Sequence, residues 1–418
     1  MGRDTAPAEL TGWLARSALS LKSLVAGAPT ADLQPLKEVL AGVRIVGLGE
    51  ATHGTREFFQ LKHRLLEFLV MELGFRTLAM EASASASPAV DAYVRYGIGE
   101  ADKVLAGLGF WTWRTREVLA VIEWMRAYNR GRPEDEKVRF AGIDPQRCGA
   151  SLTVLDSFLR EAAPAAPERL TTLRSALGVL STAYPGSFPG ARKLVRDAHE
   201  LVDALEEFGP EAADAIEHAR ILVRAADVVT CARRHTDPLQ TAFAARDRHM
   251  ADAMGVLLED PSAKVALWAH NCHVMKGRQG GAVPALGWHL SARNGAAYYA
   301  LGLLFGSGAF RARRVWPGHR RWTGVPPAVG NRIGPPRPAA VESRLAAACP
   351  GDHLVDLRAS AAAPAAVRHW LHESQVMRSF GALVPRWTYR LSLMPTVPAE
   401  EYDGLAYVGV SSCSRPLP

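Results

Sequence analysis

Short apolar runs alternate along the chain with longer segments in which apolar residues recur every three or four positions. Over residues 55–72 this recurrence predicts an amphipathic helix, and Gly74 follows it in the position expected of a helix stop. Apolar runs of strand length stand on both sides of this helix. A strand, a helix and a second strand in succession predict a crossover unit and a parallel pair. The predicted strands are Val43–Leu48, Thr77–Met80, Val138–Ile143, Lys264–Ala269, Ala297–Phe305 and Leu405–Val410.

Helical periodicity recurs over residues 8–42, with an interruption at Gly27-Ala28-Pro29, near Ala89–Tyr96 and over Glu117–Asn129. Over residues 152–255 the sequence predicts long helices, broken at 184–190, without a convincing strand. We therefore predict an α/β fold with a largely parallel central sheet flanked by helices and with a helical insertion or cap. The expected parts are residues 1–150 and 259–418, which form the α/β core, and residues 151–258, which form the cap.

The stretch 306–340 is rich in glycine, proline and arginine and predicts a long loop. A loop of this length inside a compact domain is uncommon and is usually a lid or a mobile segment. A solvated loop is the preferred interpretation, because arginine is abundant throughout the chain. Its arginines include Arg311, Arg313, Arg314, Arg320, Arg321, Arg332 and Arg337.

Composition narrows the class of protein. Of the 418 residues, 48% are apolar and 22% are charged, which is typical of a globular protein. The basic residues behind the formal charge of +7 are spread along the chain and not interleaved with aromatic residues, so nucleic-acid binding is not indicated. The five cysteines are far apart and form no C-x-x-C pair, which argues against a disulfide framework. No segment resembles a signal peptide or a membrane span, so we expect a cytoplasmic protein with a small-molecule partner.

Ionisable residues follow four of the predicted strands. In an open α/β sheet, ligands bind in the crevice beyond the carboxyl ends of the strands, where side chains from distant parts of the sequence meet. Carboxylates and imidazoles are the groups that transfer protons near neutral pH. The sequence therefore predicts an acid–base site at this edge, with Asp144 either catalytic or fixing a neighbouring loop. The candidate residues are Glu50, His53, Glu81, Asp144, His270 and His273.

The segment around Glu50 and His53 is the most informative. Glycines flank both residues, so the backbone can turn sharply after the strand, and a spacing of three places both side chains on one turn. A carboxylate beside an imidazole fixes its tautomer and raises its basicity, which is the arrangement of a general base. The alternative is a histidine that caps the helix beginning near Thr55. The second pair, His270 and His273, favours a site, because ionisable residues cluster at functional positions.

Two other kinds of chemistry fit parts of this pattern. A divalent metal has a plausible ligand set, although Lys62 and nearby arginines supply competing positive charge. A serine nucleophile is not supported, because no G-x-S-x-G segment follows a strand. Cys272 could act as a nucleophile, but an apolar cysteine at a strand end is more often simply buried. The candidate metal ligands are His270, His273, Glu50 and Glu81.

Four segments carry longer motifs. They are Gly49–Phe59 with residues 61–65 behind it, Leu73–Arg76 followed by Glu81, Phe110–Thr115, and Trp268–Val274. Together these segments resemble the erythromycin esterase family. The resemblance spans roughly residues 40–306, with a fainter echo at 402–408.

The resemblance implies hydrolysis of a macrolactone or a related ester of a bulky natural product, without a serine nucleophile and without a cofactor. It implies that His53 is the general base that activates water, assisted by Glu50. Glu81, His270 and His273 match the other ionisable positions of the family's cleft, and Lys62 stands where some members carry arginine. The implied substrate-binding residues are Lys62, Arg56, Trp111, Trp113 and Arg114.

Two further functions stay open, since fold and motif do not fix the reaction. The same acid–base cleft could perform a non-hydrolytic step in natural-product biosynthesis, such as cyclisation, acyl transfer or elimination. The cleft could instead bind a metabolite or a peptide without converting it. Family members of this kind are not all tied to antibiotic resistance, so the substrate stays open at this point.

Overall fold

A computed structural model describes residues 5–161, 168–316 and 326–418. In these ranges the chain forms an α/β fold around a ten-stranded, mostly parallel sheet, and the predicted fold class is confirmed. The strands are β1 (Ala18–Ser20), β2 (Ile45–Leu48), β3 (Thr77–Ser83), β4 (Arg139–Asp144), β5 (Val265–Trp268), β6 (Arg278–Gln279), β7 (Val283–Pro284), β8 (Tyr298–Val315), β9 (Ala328–Ile333), β10 (His353–Asp356), β11 (Gln375–Arg378), β12 (Leu383–Pro385), β13 (Leu393–Thr396) and β14 (Gly404–Ser411). The helices are α1 (Thr5–Ser17), α2 (Leu36–Val39), α3 (Arg56–Leu73), α4 (Ser87–Tyr96), α5 (Ala101–Gly107), α6 (Arg116–Asn129), α7 (Gly149–Glu161), α8 (Glu168–Leu177), α9 (Arg192–Glu206), α10 (Ala213–Thr230), α11 (Ala242–Leu257), α12 (Asn271–Val274), α13 (Leu286–Asn294), α14 (Val341–Ala348), α15 (Ala365–Leu371) and α16 (Pro398–Glu401).

The strand order in the large sheet places the predicted site strands side by side. The order is β1-β10-β14-β8-β2-β5-β3-β4, with β9 and β12 attached to β8. From β14 to β4 all neighbours are parallel. Trp268 of β5 is in register with both Leu48 of β2 and Met80 of β3. The pairing of β5 with both neighbours therefore ends at one level, and the residues just beyond it, including Glu81 within β3, meet at one edge.

The helix predicted over residues 55–72 forms as α3. It ends at Gly74, whose φ of +74° is a left-handed conformation that glycine adopts without strain. Its buried residues occupy successive turns and include Lys62, which has no exposed surface. A fully buried cation requires a counterion within the protein. Lys62 therefore marks the part of α3 that faces other charged groups.

The prediction of helix over residues 8–42 is wrong for most of that range. Helix α1 ends at Ser17, and the next three residues form β1, which pairs with residues 353–355 of β10. A 3₁₀ turn at Ala31–Leu33 and the four-residue helix α2 follow. The leucine spacing was compatible with a helix, but the backbone groups of β1 find partners more than 300 residues away, which a local pattern does not contain.

The long loop predicted over residues 306–340 is also wrong in the part that the structure describes. Strand β8 continues through Val315, and residues 328–333 return as β9 antiparallel to it. Phe310 and Ala312 of β8 are fully buried, and they alternate with Arg311 and Arg313. The arginines concealed the strand alternation in the sequence. Arg320 and Arg321 lie outside the described residues.

Helices α7 to α10 pack around a hydrophobic cluster that is separate from the one around the sheet. Its centre holds Leu155, Leu177, Leu201 and Leu222, each without exposed surface. Helix α11 leads from this region back to the sheet core. The division into core and cap at residues 151–258 remains a prediction. None of the described helices is long and apolar enough to cross a membrane.

Candidate active site

The residues that follow β2, β4 and β5, together with Glu81 of β3, meet around a cavity of about 460 Å³. Helix α11, the segment 109–113 and strand β8 contribute further walls. Chain segments that are far apart in the sequence thus place ionisable groups in one space. The cavity-lining residues include His53, Glu81, Trp111, Trp113, Arg147, Arg246, His270, Cys272, His273 and Arg313.

Glu50 follows β2, has no exposed surface and forms hydrogen bonds with two neighbouring side chains. Its Oε1 lies 2.8 Å from Nδ1 of His53, and its Oε2 accepts a 2.7 Å hydrogen bond from Nζ of Lys62. Because a carboxylate only accepts, Nδ1 of His53 carries the proton and Nε2 is left as an acceptor. His53 itself lines the cavity. This is the arrangement of an imidazole that can take a proton from a ligand.

Lys62 lies behind Glu50 and is not among the described residues that line the cavity. Its Nζ also donates to the carbonyl oxygen of Ala269 at 3.2 Å and lies 4.7 Å from the ring centroid of Trp268. Burial lowers the pKa of Lys62 to about 8, although Glu50 opposes the shift. Burial raises the pKa of Glu50, but Lys62 and His53 outweigh it, and the pKa is lowered overall. Lys62 thus keeps Glu50 ionised.

Arg246 of α11 joins the ends of two strands. Its Nη2 donates to Oε1 of Glu81 at 2.7 Å and to Oδ2 of Asp144 at 2.6 Å. Asp144 also accepts from the backbone N–H and the side-chain amide of Gln146. Burial lowers the pKa of Arg246, but Asp144 and Glu81 more than compensate and hold it well above its usual range. This guanidinium therefore stays charged, and the carboxylates of Asp144 and Glu81 fix its position.

His273 lies between carboxylates from two other elements. Its Nδ1 is 2.8 Å from Oδ1 of Asp247, and its Nε2 is 3.3 Å from Oε1 of Glu81. Burial lowers the pKa of His273, yet the charges of Asp247, Cys272 and Glu81 raise it well above its usual value. Arg246, whose Nη1 lies 2.9 Å from Nε2, opposes this shift. Because a guanidinium only donates, this contact requires Nε2 as the acceptor and places the ring proton on Nδ1, toward Asp247.

His270 and Cys272 form a thiol–imidazole pair on the cavity wall. Nδ1 of His270 is 3.0 Å from Sγ of Cys272, and Nε2 is 3.2 Å from the carbonyl oxygen of Phe380. Because a carbonyl only accepts, Nε2 carries a proton and Nδ1 faces the sulfur. Burial raises the pKa of Cys272, but His273 and His270 outweigh it and lower the pKa to about 6. This shift favours the thiolate of Cys272, and the side chain is partly exposed, unlike the buried strand-end cysteine expected from the sequence.

Aromatic side chains form the apolar wall beside His53. Trp113 is almost fully buried, its ring centroid lies 5.5 Å from that of His53 in an edge-to-face arrangement, and its Nε1–H donates to the carbonyl oxygen of Glu81 at 2.9 Å. Trp111, Phe110 and Phe243 line the same cavity. The wall is therefore rigid near the imidazole and apolar beyond it, as expected for a site that binds an organic molecule.

The structure brings most of the predicted site residues together. His53, Glu81, His270, His273, Trp111 and Trp113 line the cavity, with Glu50 and Lys62 immediately behind. Arg56 and Arg114 do not appear among the described lining residues. Arg56 begins α3, and the Arg114 guanidinium donates to the carbonyl oxygen of Pro418.

Sequence reasoning missed Arg246, Asp247 and Arg147 as parts of this site. A charged residue in the middle of an amphipathic helix gives the same sequence pattern whether it is exposed to water or paired with a buried carboxylate. The sequence of α11 therefore gave no signal for Arg246. The alternation of apolar residues and arginines over 310–313 is typical of a strand, and it would have predicted that Arg311 and Arg313 lie on the same face of that strand.

The residues considered as metal ligands do not form one compact group. Among the described residues there is no cluster of three or more histidine, cysteine, aspartate or glutamate side chains that could hold a metal ion. The Glu50 and Glu81 oxygens already contact Lys62 and Arg246. These cations take the place that a metal would need beside the carboxylates.

The fold and the cavity define a class: an α/β protein with histidine and carboxylate side chains at the carboxyl edge of a parallel sheet. The sequence profile of the erythromycin esterase family matches residues 70–410. The chain belongs to the erythromycin esterase family, a family of esterase hydrolases that act on small-molecule esters. The match begins after the Glu50–His53 segment and extends well past residue 306.

Individual relatives are distant. Erythromycin esterase type II of Escherichia coli is 26% identical over 281 residues, covering 59% of this chain and 64% of that protein. The putative hydrolase YbfO of Bacillus subtilis (strain 168) is 25% identical over 288 residues, covering 63% of each chain. The chain thus spans less than two thirds of the length of these curated relatives.

Solved structures show the fold over nearly the whole chain. The crystal structure of a succinoglycan biosynthesis protein superposes with a TM-score of 0.79 at 22% identity, covering 99% of this chain and 98% of that one. A mutant of the erythromycin esterase EreC in its open conformation gives a TM-score of 0.68 at 19% identity, covering 92% and 95%. At these identities the likeness supports the architecture.

Proposed function

We propose that this protein is an esterase-type hydrolase that cleaves a carboxylic ester or macrolactone bond with a water molecule activated by His53. The observation that carries the proposal is the 2.8 Å contact between Nδ1 of His53 and Oε1 of the buried Glu50. The contact fixes the tautomer in which Nε2 is the free base, and it stabilises the imidazolium that forms when Nε2 takes a proton from water.

Ester hydrolysis also requires stabilisation of the negative charge that develops on the carbonyl oxygen. Arg246 lines the same cavity as His53 and is held as a cation by Asp144 and Glu81. We assign the oxyanion role to this guanidinium, which also contacts Nε2 of His273. Lys62 acts through Glu50 and is a positioning residue in this mechanism.

A bulky natural product is the proposed substrate class. Two curated relatives are named erythromycin esterases. A cavity of about 460 Å³ lies within the usual range for small-molecule sites of about 300–1,000 Å³. Trp111, Trp113 and Phe110 supply the apolar surface that such a molecule requires.

The test is mass spectrometry of macrolides and other cyclic esters after incubation in heavy-oxygen water. The wild type should add one labelled water to at least one compound, and His53→Ala should be slower by about 100- to 10,000-fold, the usual contribution of a general base. His369→Ala, on an exposed histidine, is the matched control and should retain activity. Unlabelled conversion, or full activity of His53→Ala, would contradict the proposal. Binding without conversion would support a metabolite-binding protein.

The partly exposed Cys272 favours one second candidate, acyl transfer. In that reaction Nδ1 of His270 takes the proton of the Cys272 thiol, and the sulfur attacks the ester carbonyl. The C–O bond then breaks, and the alkoxide takes that same proton from Nδ1 of His270. The resulting thioester passes its acyl group to a hydroxyl acceptor, whose proton His53 removes. Intact-protein mass spectrometry during turnover would show an acyl adduct that is absent in Cys272→Ala. Undiminished conversion by Cys272→Ala would exclude this route.

A further inference from the structure

The cavity carries more positive charge than its own carboxylates balance. Its described lining includes four arginines but Glu81 as the single carboxylate. Glu81 and the buried Asp144 are both bound to Arg246. The cavity therefore contains guanidinium charge that these carboxylates do not neutralise, and Arg147 and Arg313 carry it.

Arg147 and Arg313 are held by aromatic and neutral groups. The Arg147 guanidinium stacks over the ring of Tyr184 at 4.4 Å and donates to its hydroxyl oxygen. The Arg313 guanidinium lies 5.7 Å from the ring centroid of Trp111. In the part of the chain that the structure describes, neither guanidinium forms an ion pair with a carboxylate, and the Nε of each is buried without a hydrogen-bond partner. Residues 317–325, outside the described ranges, contain no Asp or Glu.

The two charges also influence each other. Burial lowers the pKa of Arg313, and the nearby Arg147 lowers it further. Like charges in one partly desolvated space repel each other, so the empty site is electrostatically unfavourable. An anion that contacts both guanidiniums would relieve the repulsion.

The backbone at Arg147 is strained in a way that fixes its side chain. Its φ of 60° is the single left-handed value of a non-glycine among the described residues. The Ser83 Oγ donates to the carbonyl oxygen of Arg147 at 3.0 Å. Gly109 packs beside the Arg147 side chain, and a Cβ at position 109 would lie 3.3 Å from the Cβ of Arg147. Strain of this kind persists where the surroundings enforce it, and it is concentrated at ligand-binding positions.

We propose that Arg147 and Arg313 bind an acidic group of the substrate, a carboxylate or a phosphate, in the cavity that His53 lines. Guanidinium groups donate paired hydrogen bonds to either anion, and aromatic faces hold their planes in position. This proposal rests on the proposed function and narrows its substrate to esters that carry an acidic group. A substrate with a cationic group at this position is disfavoured by the same charges.

The test is calorimetric titration at low ionic strength with benzoate and phenyl phosphate, and with benzyl alcohol as a neutral probe. The wild type should bind one or both anions and not the alcohol, and the tighter anion identifies the acidic group. Arg313→Met should weaken anion binding by about tenfold or more, because a charge-assisted pair is lost. Arg147→Asn should do the same, and asparagine tolerates the left-handed backbone.

Arg314→Met is the matched control, because it removes the same charge one residue away, where the guanidinium contacts Asn331. It should leave anion binding nearly unchanged. The proposal is overturned if neither anion binds, if the alcohol binds equally well, or if Arg314→Met weakens binding as much as Arg313→Met. His53→Ala should still bind the anion, so loss of hydrolysis and loss of anion binding are measured separately.

Discussion

Replacement of Lys62 by methionine tests the buried ion pair beneath the site. Lys62→Met keeps the length of the side chain but leaves Glu50, which has no exposed surface, without its cation. At the observed separation of 2.7 Å, unit charges attract by at most about 6 kcal/mol at an effective dielectric constant of about 20. The loss of one partner of a fully buried pair typically costs about 3–5 kcal/mol in the free energy of unfolding.

The assay is urea unfolding at pH 7, followed by tryptophan fluorescence. Lys103→Met, which removes an exposed lysine paired with Glu100, is the control and should leave the unfolding free energy unchanged within error. The double variant Glu50→Gln/Lys62→Met should recover much of the stability, because no unpaired charge remains in the protein interior.

The double variant should nevertheless stay inactive, since His53 would lose the carboxylate that orients it. The reasoning is refuted if Lys62→Met is no more destabilising than Lys103→Met. It is equally refuted if the double variant is as unstable as Lys62→Met alone.

Substitutions at three other positions test particular contacts. Burial lowers the pKa of His63 from 6.5 to about 4, so on acidification the unfolded chain binds this proton first. Stability should fall between those pH values by up to about 3 kcal/mol, and His63→Leu should remove that part of the loss in urea unfolding at pH 7 and pH 4.5. Gly54→Ala would place a Cβ 1.9 Å from the carbonyl oxygen of Arg311. We expect the free energy of unfolding to fall by about 1–3 kcal/mol and calorimetry to show a lower Tm. An unchanged Tm would contradict this close contact. Arg246→Met removes the cation that Asp144 and Glu81 share and should cost about 3–5 kcal/mol in urea unfolding. Arg246→Lys should lose less stability, and equal losses would show that the charge pairing is not what matters.

Local sequence patterns determined the elements nearest to Glu50 and His53. The recurrence of apolar residues before Gly74 predicted α3, and a short apolar run predicted β2. Glu50 and His53 are three residues apart, so their contact needs one turn of backbone and no distant partner. The parallel arrangement followed from strand and helix alternation, because a crossover between parallel strands requires a helix-length connection.

The tertiary structure decided everything that depends on partners far away in the chain. The edge strand β1 exists because β10 lies beside it, and β8 extends to Val315 because β9 and β12 pair with its second half. No local pattern contains the position of such a partner.

The charged part of the site was decided in the same way. Arg246 and Asp144 are 102 positions apart, and the sequence around each is compatible with a solvated surface. Periodicity records which face of an element is apolar, whereas a buried charge is stable only where folding brings a counterion to it. The sequence therefore determined that histidines and carboxylates end these strands, and the packing of α11 against them decided which cations complete the cavity.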